Sequence, residues 1–471
     1  PVDGDVIDGK PAAEWIAASV AALSAMENVT LRSRTMGAGV YDHGYVLAEE
    51  KIADHTPGDG RPKHRLWRIR AGRIVTATGA IERPLSFAGN DIPGVMLAAS
   101  LREFVVNYAV SAGDRTVVVT NNDDAYRTAI ALKEAGLAVP CIIDARATLT
   151  GALPAKARAM GIRVEAGKAI AKVKGGKRVT GVAICLQAGE GAVQEEITCD
   201  AVAMSGGWSP VVHLWSHCGG KLVWDSKNAH FRPDATRPPT GHDGQAMVVA
   251  VGNANGAMTA ADVLVDAAKG AAAAVTALGF TADAKAASAD VREDAAMEPV
   301  WIMPQGAGPK LKSKMWLDYQ NDVKVSDVQL AAREGYESVE HTKRYTTLGM
   351  ATDQGKLSNI NGLAVLAGSL NADIPQVGTT TFRPPYTPVT LGALAGESRG
   401  EIFQPLRKTP MHGAHEKNHA YFEPVGLWRR PYCFPRAGEN HEQAVHREVN
   451  NTRSKLGLLD ASTLGKIIVK G

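Results

Sequence analysis

The sequence predicts an α/β fold in which a second Rossmann-type unit is inserted into a first one. Two short apolar strands run into glycine, at Gly79 and at Gly252, and they lie far apart in the chain. Between them, residues 115–144 have the strand–helix–strand pattern of a βαβ unit. The chain has 48 glycines and only 6% aromatic residues, a balance that suits α/β layers joined by tight turns.

Local patterns predict the elements of the first part of the chain. We expect a helix over residues 12–26, strands over 28–34, 40–49, 65–69 and 73–79, and a polar loop over 55–63. In the βαβ unit, a strand over 116–120 precedes a helix over 125–135, and a strand over 138–143 ends on Asp144. The helix ends at Gly136, a common position for glycine after a helix.

Beyond the βαβ unit, residues 162–196 alternate short strands with glycine-containing turns, and 200–204 and 246–251 indicate two more buried strands. Residues 257–280 predict an alanine-rich helix. It carries Asp262, Asp266 and Lys269, so it does not have the composition of a membrane span. A helical segment is expected over 325–347, and a proline- and threonine-rich stretch follows over 379–390.

These elements group into a predicted order of domains. The order is a first dinucleotide-binding domain over 1–112 that lacks its N-terminal βαβ unit, an inserted Rossmann-type domain over 113–240, a return to the first domain over 241–280, a linker over 281–310, a small helical domain with the proline- and threonine-rich segment over 311–400, and the start of an α+β domain over 401–471.

Composition narrows the class of protein. The formal net charge is only +3, which gives no reason to expect nucleic acid or a membrane surface as a partner. The five cysteines form no C-x-x-C pair, so a flavoprotein reductase of the disulfide type is not supported. Buried, reduced thiols and a cytoplasmic location are the expectation.

The βαβ unit itself lacks the features of a nucleotide site. A dinucleotide-binding unit needs glycines between strand and helix, so that the backbone can touch pyrophosphate. Here Asn122 stands at such a place, and Asp123 and Asp124 follow it. Two carboxylates would repel a diphosphate, whereas Asn122 or Asp123 suits a helix N-cap. We therefore predict a unit without a ligand, in which Asp144 is only a strand-end acid.

Two strand ends are better candidates for a nucleotide site. One is Ala77-Thr78-Gly79, and the other runs from Ala250 through Gly252 into the helix that follows. Both place small residues where a strand stops and a ligand can lie against backbone N–H groups. A single strand that ends on glycine usually marks only a turn, but two such ends around an inserted βαβ unit are a more specific signal.

Three longer stretches carry a resemblance to a known family. They are VTATGAIERPLSFAGNDIPGVMLA, VEHTKRYTTLGMATDQGKLSNINGLAVLA and VGTTTFRPPYTPVTLGALAG. They resemble the alpha-subunit family of heterotetrameric sarcosine oxidases, within the flavoproteins that have two dinucleotide-binding domains, and the likeness covers nearly the whole chain. The resemblance implies that a G-x-G-x-x-G unit precedes Pro1 and that a folate-binding, aminomethyltransferase-like domain continues beyond Gly471.

The resemblance also implies that NAD binds in the first dinucleotide-binding domain. Ala77, Thr78 and Gly79 are then expected to pack against the nucleotide, and Gly37 is expected to contact its adenosine side. A second group is expected near the pyrophosphate and the start of the following helix: Ala250, Gly252, Asn253, Met258 and Thr259.

The small helical domain resembles iron–sulfur domains of the bacterioferritin-associated ferredoxin type over residues 315–366. Such clusters need cysteine thiolates, but residues 316–320 and 352–355 occupy the ligand places and contain no cysteine. We expect no iron–sulfur cluster. The family carries FMN between its alpha and beta subunits, and the resemblance suggests a basic, hydroxyl-rich group of contacts to it: Lys343, Arg344, Thr346, Thr347 and Arg383. A solvated helix face is an equal alternative for Lys343 and Arg344.

The tail contains the run His415-Glu416-Lys417-Asn418-His419, which satisfies H-E-x-x-H by letters. A zinc site of this kind needs both histidines on one helix and a third ligand. Nearby Gly413 and Pro424 disfavour a long helix. We therefore expect no metal site here.

The resemblance implies an enzyme subunit. The complex would demethylate sarcosine oxidatively to glycine, produce peroxide and transfer the one-carbon unit to tetrahydrofolate. Its partners would be beta, gamma and delta subunits and a small-molecule substrate, with NAD, FMN and tetrahydrofolate as cofactors. No catalytic acid, base or nucleophile is evident in residues 1–471. A non-catalytic, nucleotide-binding scaffold subunit of a related amine or opine dehydrogenase is the alternative.

Overall fold

The computed structural model describes residues 5–56, 58–290 and 297–471. Residues 1–4 of the first predicted domain, Pro57 of the predicted polar loop and residues 291–296 of the predicted linker lie outside the described residues. The chain divides into two compact units, Pro1–Val389 and Thr390–Gly471. The first unit contains both predicted Rossmann-type parts.

A five-stranded parallel sheet forms the centre of the inserted part. Its strands lie in the order Val164–Ala166, Ile142–Asp144, Thr116–Thr120, Ala201–Ser205 and Val95–Leu97. One face packs against the helices Ala98–Tyr108, Asp124–Glu134 and Ala152–Ala159. The other face packs against an antiparallel sheet of Lys168–Gly175, Val179–Leu186 and Glu195–Ile197. Thr116–Thr120 is buried along its whole length, because both faces of the sheet are covered.

A second, smaller parallel pairing joins strands from both sides of this insertion. Ile74–Thr76 pairs with Val248–Ala250, and Val75 lies opposite Val249. The helix Ala260–Thr276 packs closely on this pair, since a Cβ on Gly270 would stand 2.2 Å from Val251 Cγ1. Segments far apart in sequence therefore form one α/β layer, and the predicted fold class is confirmed.

The sheet next to this layer differs from prediction. The predicted strand over 28–34 is wrong: these residues, all within the described part of the chain, form no strand, and Leu31 is 49% exposed. The predicted strand over 40–49 is a hairpin of Thr35–Tyr41 and Tyr45–Lys51, and His64–Arg70 pairs beside it. The hairpin turns at Gly44, whose φ is +67° and whose missing Cβ would stand 2.3 Å from the Ala71 carbonyl oxygen.

The small helical region has its own core. Its predicted helix over 325–347 is two helices, because the chain breaks at Gly335 with φ +93°. The core is built around the buried side chains of Met315, Leu348 and Leu366. The elements of this region are Pro309–Lys312, Trp316–Asp318, Val323–Lys324, Val325–Arg333, Val339–Thr346, Asn359–Leu370 and Ile374–Val377.

Short elements complete the first unit. The helix Ala12–Ser24 confirms the predicted first helix. Ala289–Asp290, within the predicted linker, pairs with Val6–Ile7. The other short elements are Lys10–Pro11, Ala80–Glu82, Trp208–Pro210, His213–His217, Leu222–Asp225 and His230–Pro233.

The second unit is smaller. A three-stranded sheet has the order Arg407–Lys408, Trp428–Cys433 and Tyr421–Val425. Its helices are Leu391–Ala395, His412–Lys417 and His441–Ser454. In the described residues of both units, no helix is both long enough and apolar enough to span a bilayer.

Candidate nucleotide-binding junction and neighbouring sites

The two predicted strand ends lie side by side. The Val251 N–H donates to the Thr76 carbonyl over 3.0 Å, directly before the chain turns at both glycines. Gly79 has φ +75°, and no atom lies within 4 Å of the place where its Cβ would stand. The backbone at Gly79 is therefore bare on one side, which is the geometry that a closely packed nucleotide requires.

The turn after Val251 is closed by an acidic side chain that the sequence analysis did not foresee. The Gly252 N–H donates to Asp266 Oδ2 over 2.7 Å, and Asn255 Nδ2 donates to the same carboxylate over 3.1 and 3.2 Å. Asn253 Nδ2 binds the Ala257 carbonyl over 2.7 Å. The Gly252 amide thus already has an acceptor, so a pyrophosphate here would have to be held by other groups.

The remaining residues predicted for this site lie around the same junction. Thr259 caps the helix Ala260–Thr276 by accepting from the Asp262 N–H over 3.1 Å. Met258 Sδ lies 3.9 Å from Asn253 Nδ2. Gly37 belongs to the neighbouring sheet, with Leu214 Cδ1 3.7 Å from the place of its missing Cβ. The helix that carries Leu214 follows Val211, whose N–H donates to the Gly79 carbonyl over 2.9 Å.

The predicted basic group contains an acidic side chain, Glu340, which contacts two of its segments. Its Oε1 accepts from the Thr381 N–H over 2.6 Å, and its Oε2 pairs with Arg344 over 3.1 Å. Burial alone would raise the pKa of Glu340, but the Thr381 hydrogen bond and the charges of Lys343 and Arg344 hold it below its usual range. The helix with Lys343 and the segment with Arg383 are therefore neighbours.

Only part of this basic group is available to a ligand. Arg344 is committed to Glu340, and its Nη1 also donates to the Glu340 carbonyl over 2.8 Å. The hydroxyls of Thr346 and Thr347 donate to nearby backbone carbonyls. Half-buried Lys343 and exposed Arg383 are the cations that a phosphate could recruit.

The two segments at the predicted cluster-ligand places face each other. Gln320 Oε1 accepts from Thr352 Oγ1 over 3.2 Å and from the Asp353 N–H over 3.3 Å. Asp318 Oδ2 accepts from the Gly349 N–H over 2.7 Å. Hydrogen bonds therefore hold these segments together.

In the inserted unit, buried charged side chains pair with one another near the carboxyl ends of two parallel strands. Arg146 lies between Asp123 and Asp144, with 2.7 Å contacts to both carboxylates, and all three are at most 3% exposed. Tyr126 donates to Asp144 Oδ2 over 2.8 Å. Although burial opposes it, the two carboxylates raise the pKa of Arg146. Sequence analysis missed Arg146, whose place two residues after Asp144 was the available signal.

A group of buried side chains beside the junction was also missed. The His213 ring lies 4.2 Å from Phe382 and 4.9 Å from Tyr386, measured between ring centres. Lys356 Nζ lies 4.5 Å from the Tyr386 ring centre. Burial, with smaller contributions from Lys356 and His217, lowers the pKa of His213 to about 3. No local motif marks these residues, since they come together only through the fold.

In the second unit, the two histidines of the H-E-x-x-H run do not lie on one helix. The helix His412–Lys417 ends before His419, whose φ is +56°. His415 Nε2 lies 2.9 Å from Asp460 Oδ2, which also accepts from Thr409 Oγ1 over 3.0 Å. Within the described parts of the chain, no three histidine, cysteine or acidic side chains are grouped to hold a metal ion.

The fold and the junction define a Rossmann-type α/β protein. The crystal structure of L-proline dehydrogenase from P. horikoshii shares this fold, with a TM-score of 0.60 and 20% identity over 82% of this chain and 69% of that chain. Family models match residues 312–397, described as "Sarcosine oxidase A3 domain", and residues 411–471, described as "GCVT N-terminal domain".

Two curated relatives match this chain along nearly its whole length. The chain is 41% identical to sarcosine oxidase subunit alpha from Corynebacterium sp. (strain P-1) over 99% of its length and 48% of that protein. It is 41% identical to the protein of the same name from Rhizobium meliloti (strain 1021), over 100% of this chain and 46% of that protein. Along essentially its whole length the chain is therefore similar to sarcosine oxidase alpha subunits, which confirms the resemblance. It spans about half the length of the curated relatives that it matches.

Proposed function

We propose that this chain acts as the alpha subunit of a sarcosine oxidase, in a complex that converts sarcosine to glycine with formation of peroxide. The observation that carries this proposal is the sequence identity of 41% to two sarcosine oxidase alpha subunits over essentially the whole chain. The paired strand ends at Gly79 and Gly252 support it, because they offer a nucleotide a bare stretch of backbone.

Within that function, the chain would bind cofactors and would supply no catalytic acid, base or nucleophile. NAD would lie at the junction, against Ala77, Thr78, Gly79 and the turn from Ala250 to Thr259. Open space at Gly79 fits such a ligand, whereas Asp266 at the Gly252 amide does not favour a phosphate there. We therefore expect the adjacent amides and Gly79, rather than the Gly252 N–H, to make the close contacts.

FMN would lie between this chain and a beta subunit, and would accept the hydride equivalents from sarcosine when bound. Lys343 and Arg383 fit its phosphate, since both are cations without a carboxylate partner within 4.0 Å among the described residues. The region from residue 401 onward would contribute to a tetrahydrofolate site that takes the one-carbon unit. Gamma and delta subunits would complete the complex, in the cytoplasm, where its free thiols stay reduced.

The test of the proposed function is to purify the chain with its partner subunits and add sarcosine. We expect flavin absorbance and sarcosine-dependent peroxide. Flavin absorbance without peroxide would favour the scaffold alternative, and the absence of both would contradict the proposal.

The FMN contacts need a separate test. Replacing Lys343 and Arg383 together by Ala should lower the FMN content of the assembled complex several-fold. The double replacement of Lys310 and Arg333, two basic residues elsewhere in the same region, is the control. Equal FMN content in both variants would remove Lys343 and Arg383 from the site.

A further inference from the structure

Lys356 is a half-buried amine without a counter-ion. Its Nζ donates to the carbonyls of Asp353 and Tyr386 over 3.1 and 2.6 Å. No carboxylate oxygen of the described residues lies within 4.0 Å of it, and the only acidic side chain that acts on its charge belongs to Asp353. An ammonium group has three N–H donors, so one donor and a positive charge without a close carboxylate remain to be matched.

His213 is a buried imidazole that shares a neighbour, Tyr386, with that amine. It is 5% exposed, and neither ring nitrogen has a hydrogen-bond partner among the described residues. Buried polar atoms of folded proteins are nearly always paired, and an orphaned one points to a ligand, an ion or water. Tyr386 contacts both groups, at 4.9 Å from the His213 ring and 4.5 Å from Lys356 Nζ.

The parts that hold this pair come from three segments. His213 begins the short helix that follows Val211, and Val211 is tied to Thr78 and Gly79 by hydrogen bonds of 2.9 Å. Tyr386 comes from the proline- and threonine-rich segment. Lys356 precedes the helix Asn359–Leu370. Lys356 has one N–H donor left, and both ring nitrogens of His213 have no partner among the described residues. Because three separate segments position these groups, we interpret them as a site rather than as a feature of one loop.

We propose that Lys356 and His213 bind an anionic oxygen group, a phosphate or a carboxylate, of a small molecule. Lys356 would supply the charge and one N–H donor, and neutral His213 would supply a second N–H donor, so the ligand would satisfy both side chains. A neutral imidazole donates through one nitrogen only. The other nitrogen would then accept from a hydroxyl of the ligand or from water. The proposal does not depend on the proposed function, because it rests on these contacts alone.

Isothermal titration of the full chain with inorganic phosphate and with AMP tests this site. We expect binding in the millimolar range or tighter, and a loss of at least about tenfold in affinity in Lys356→Met and in His213→Phe. Lys356→Arg should keep the affinity within about threefold, since it keeps the charge. Lys133→Met, at an exposed lysine of the helix Asp124–Glu134, is the matched control and should leave the affinity unchanged.

The two probes also distinguish the source of the anion. Equal affinities for phosphate and AMP would assign the site to a free anion, and tighter AMP binding would assign it to a nucleotide. The proposal is overturned if neither probe binds the unaltered chain up to about 10 mM, or if Lys356→Met binds as well as Lys133→Met.

If the variants do not fold, labelled histidine in the unaltered chain provides a second measurement. Binding of phosphate should shift the ring resonances of one buried histidine in a saturable way. Resonances that stay unchanged through the titration would overturn the assignment of His213.

Discussion

Arg146 follows the strand Ile142–Asp144, at the carboxyl edge of a parallel sheet, which is the edge where Rossmann-type units bind nucleotides. Its guanidinium lies between two buried carboxylates, Asp123 and Asp144, at 2.7 Å from each. The sequence predicts a unit without a ligand, because Asn122, Asp123 and Asp124 replace the expected small residues, and this stays a prediction. It could not predict that Arg146 pairs with both carboxylates, since that depends on how the chain folds back after the strand.

Replacing Arg146 by Met should destabilise the first unit strongly. The change removes the guanidinium that pairs with two buried carboxylates, and breaking a buried ion pair costs about 3–5 kcal/mol. Urea unfolding measures the loss. The control is Arg163→Met, which removes an exposed guanidinium from Glu165 and Glu195 and should cost at most about 1 kcal/mol. Equal losses of unfolding free energy in the two variants would show that the buried ion pairs stabilise the chain no more than exposed ones do.

Glu82 should give the stability of the first unit a pH dependence. Burial is the main cause that raises the pKa of Glu82 from 4.5 to about 7, and hydrogen bonds from Ser205 and the Ala99 N–H only partly oppose it. The folded state therefore holds a proton that the unfolded state releases above pH 4.5. That stabilisation is complete below the unfolded pKa and is lost as pH rises towards the folded value.

Because of Glu82, the free energy of unfolding should fall by about 3 kcal/mol between about pH 4.5 and pH 7. Glu82→Gln stays neutral and should lack that loss, so it should be the more stable form at about pH 8. Urea unfolding of both proteins across this range is the measurement. Parallel pH profiles for the two proteins would show that Glu82 does not titrate as described.

At the scale of elements, the most reliable predictions came from buried, regular segments. The strand over 116–120 was predicted with its observed bounds, because every residue of it is buried and its pattern is uninterrupted. The segment over 28–34 has apolar residues in alternation but finds no partner strand, so Leu31 stays exposed. Local pattern indicates what a segment can form, and pairing across the fold decides whether it does.

Gly270 allows the helix Ala260–Thr276 to pack closely against Val251, next to the candidate junction. Gly270→Ala places a methyl group against Val251 and should destabilise the chain by about 1–3 kcal/mol, despite the better helix propensity of alanine. Gly368→Ala is the matched control, because that helical glycine has no atom within 4 Å of its missing Cβ. The control should gain about 0.5–1 kcal/mol. Thermal unfolding that ranks the two variants in the opposite order would contradict this packing.

For the whole molecule, the sequence predicted the likeness to sarcosine oxidase alpha subunits and the pairing of strands that lie far apart in the chain. The pairing of Ile74–Thr76 with Val248–Ala250 follows from two strand ends placed around an inserted unit. Two features of the candidate site could not be predicted. The Asp266 carboxylate accepts a hydrogen bond from the Gly252 N–H, although it lies in the following helix. The His213 ring packs against the Tyr386 ring, although the two residues lie far apart in the sequence. Neither contact leaves a local pattern in the sequence.

The central claim is that bare backbone at Gly79 receives NAD in the assembled subunit. Gly79 and Gly161 form a matched pair, since both have φ +75° and both have no atom within 4 Å of the missing Cβ. Replacing either by Ala brings a similar backbone strain of about 1–2 kcal/mol, but only Gly79 lies at the junction.

The most direct measurement is therefore the NAD content of the assembled complex, released by denaturation, for Gly79→Ala and Gly161→Ala beside the unaltered protein. We expect NAD in the unaltered complex and in Gly161→Ala, and a loss of several-fold in Gly79→Ala. Equal NAD content in the two variants, or an unaltered complex without NAD, would contradict the account.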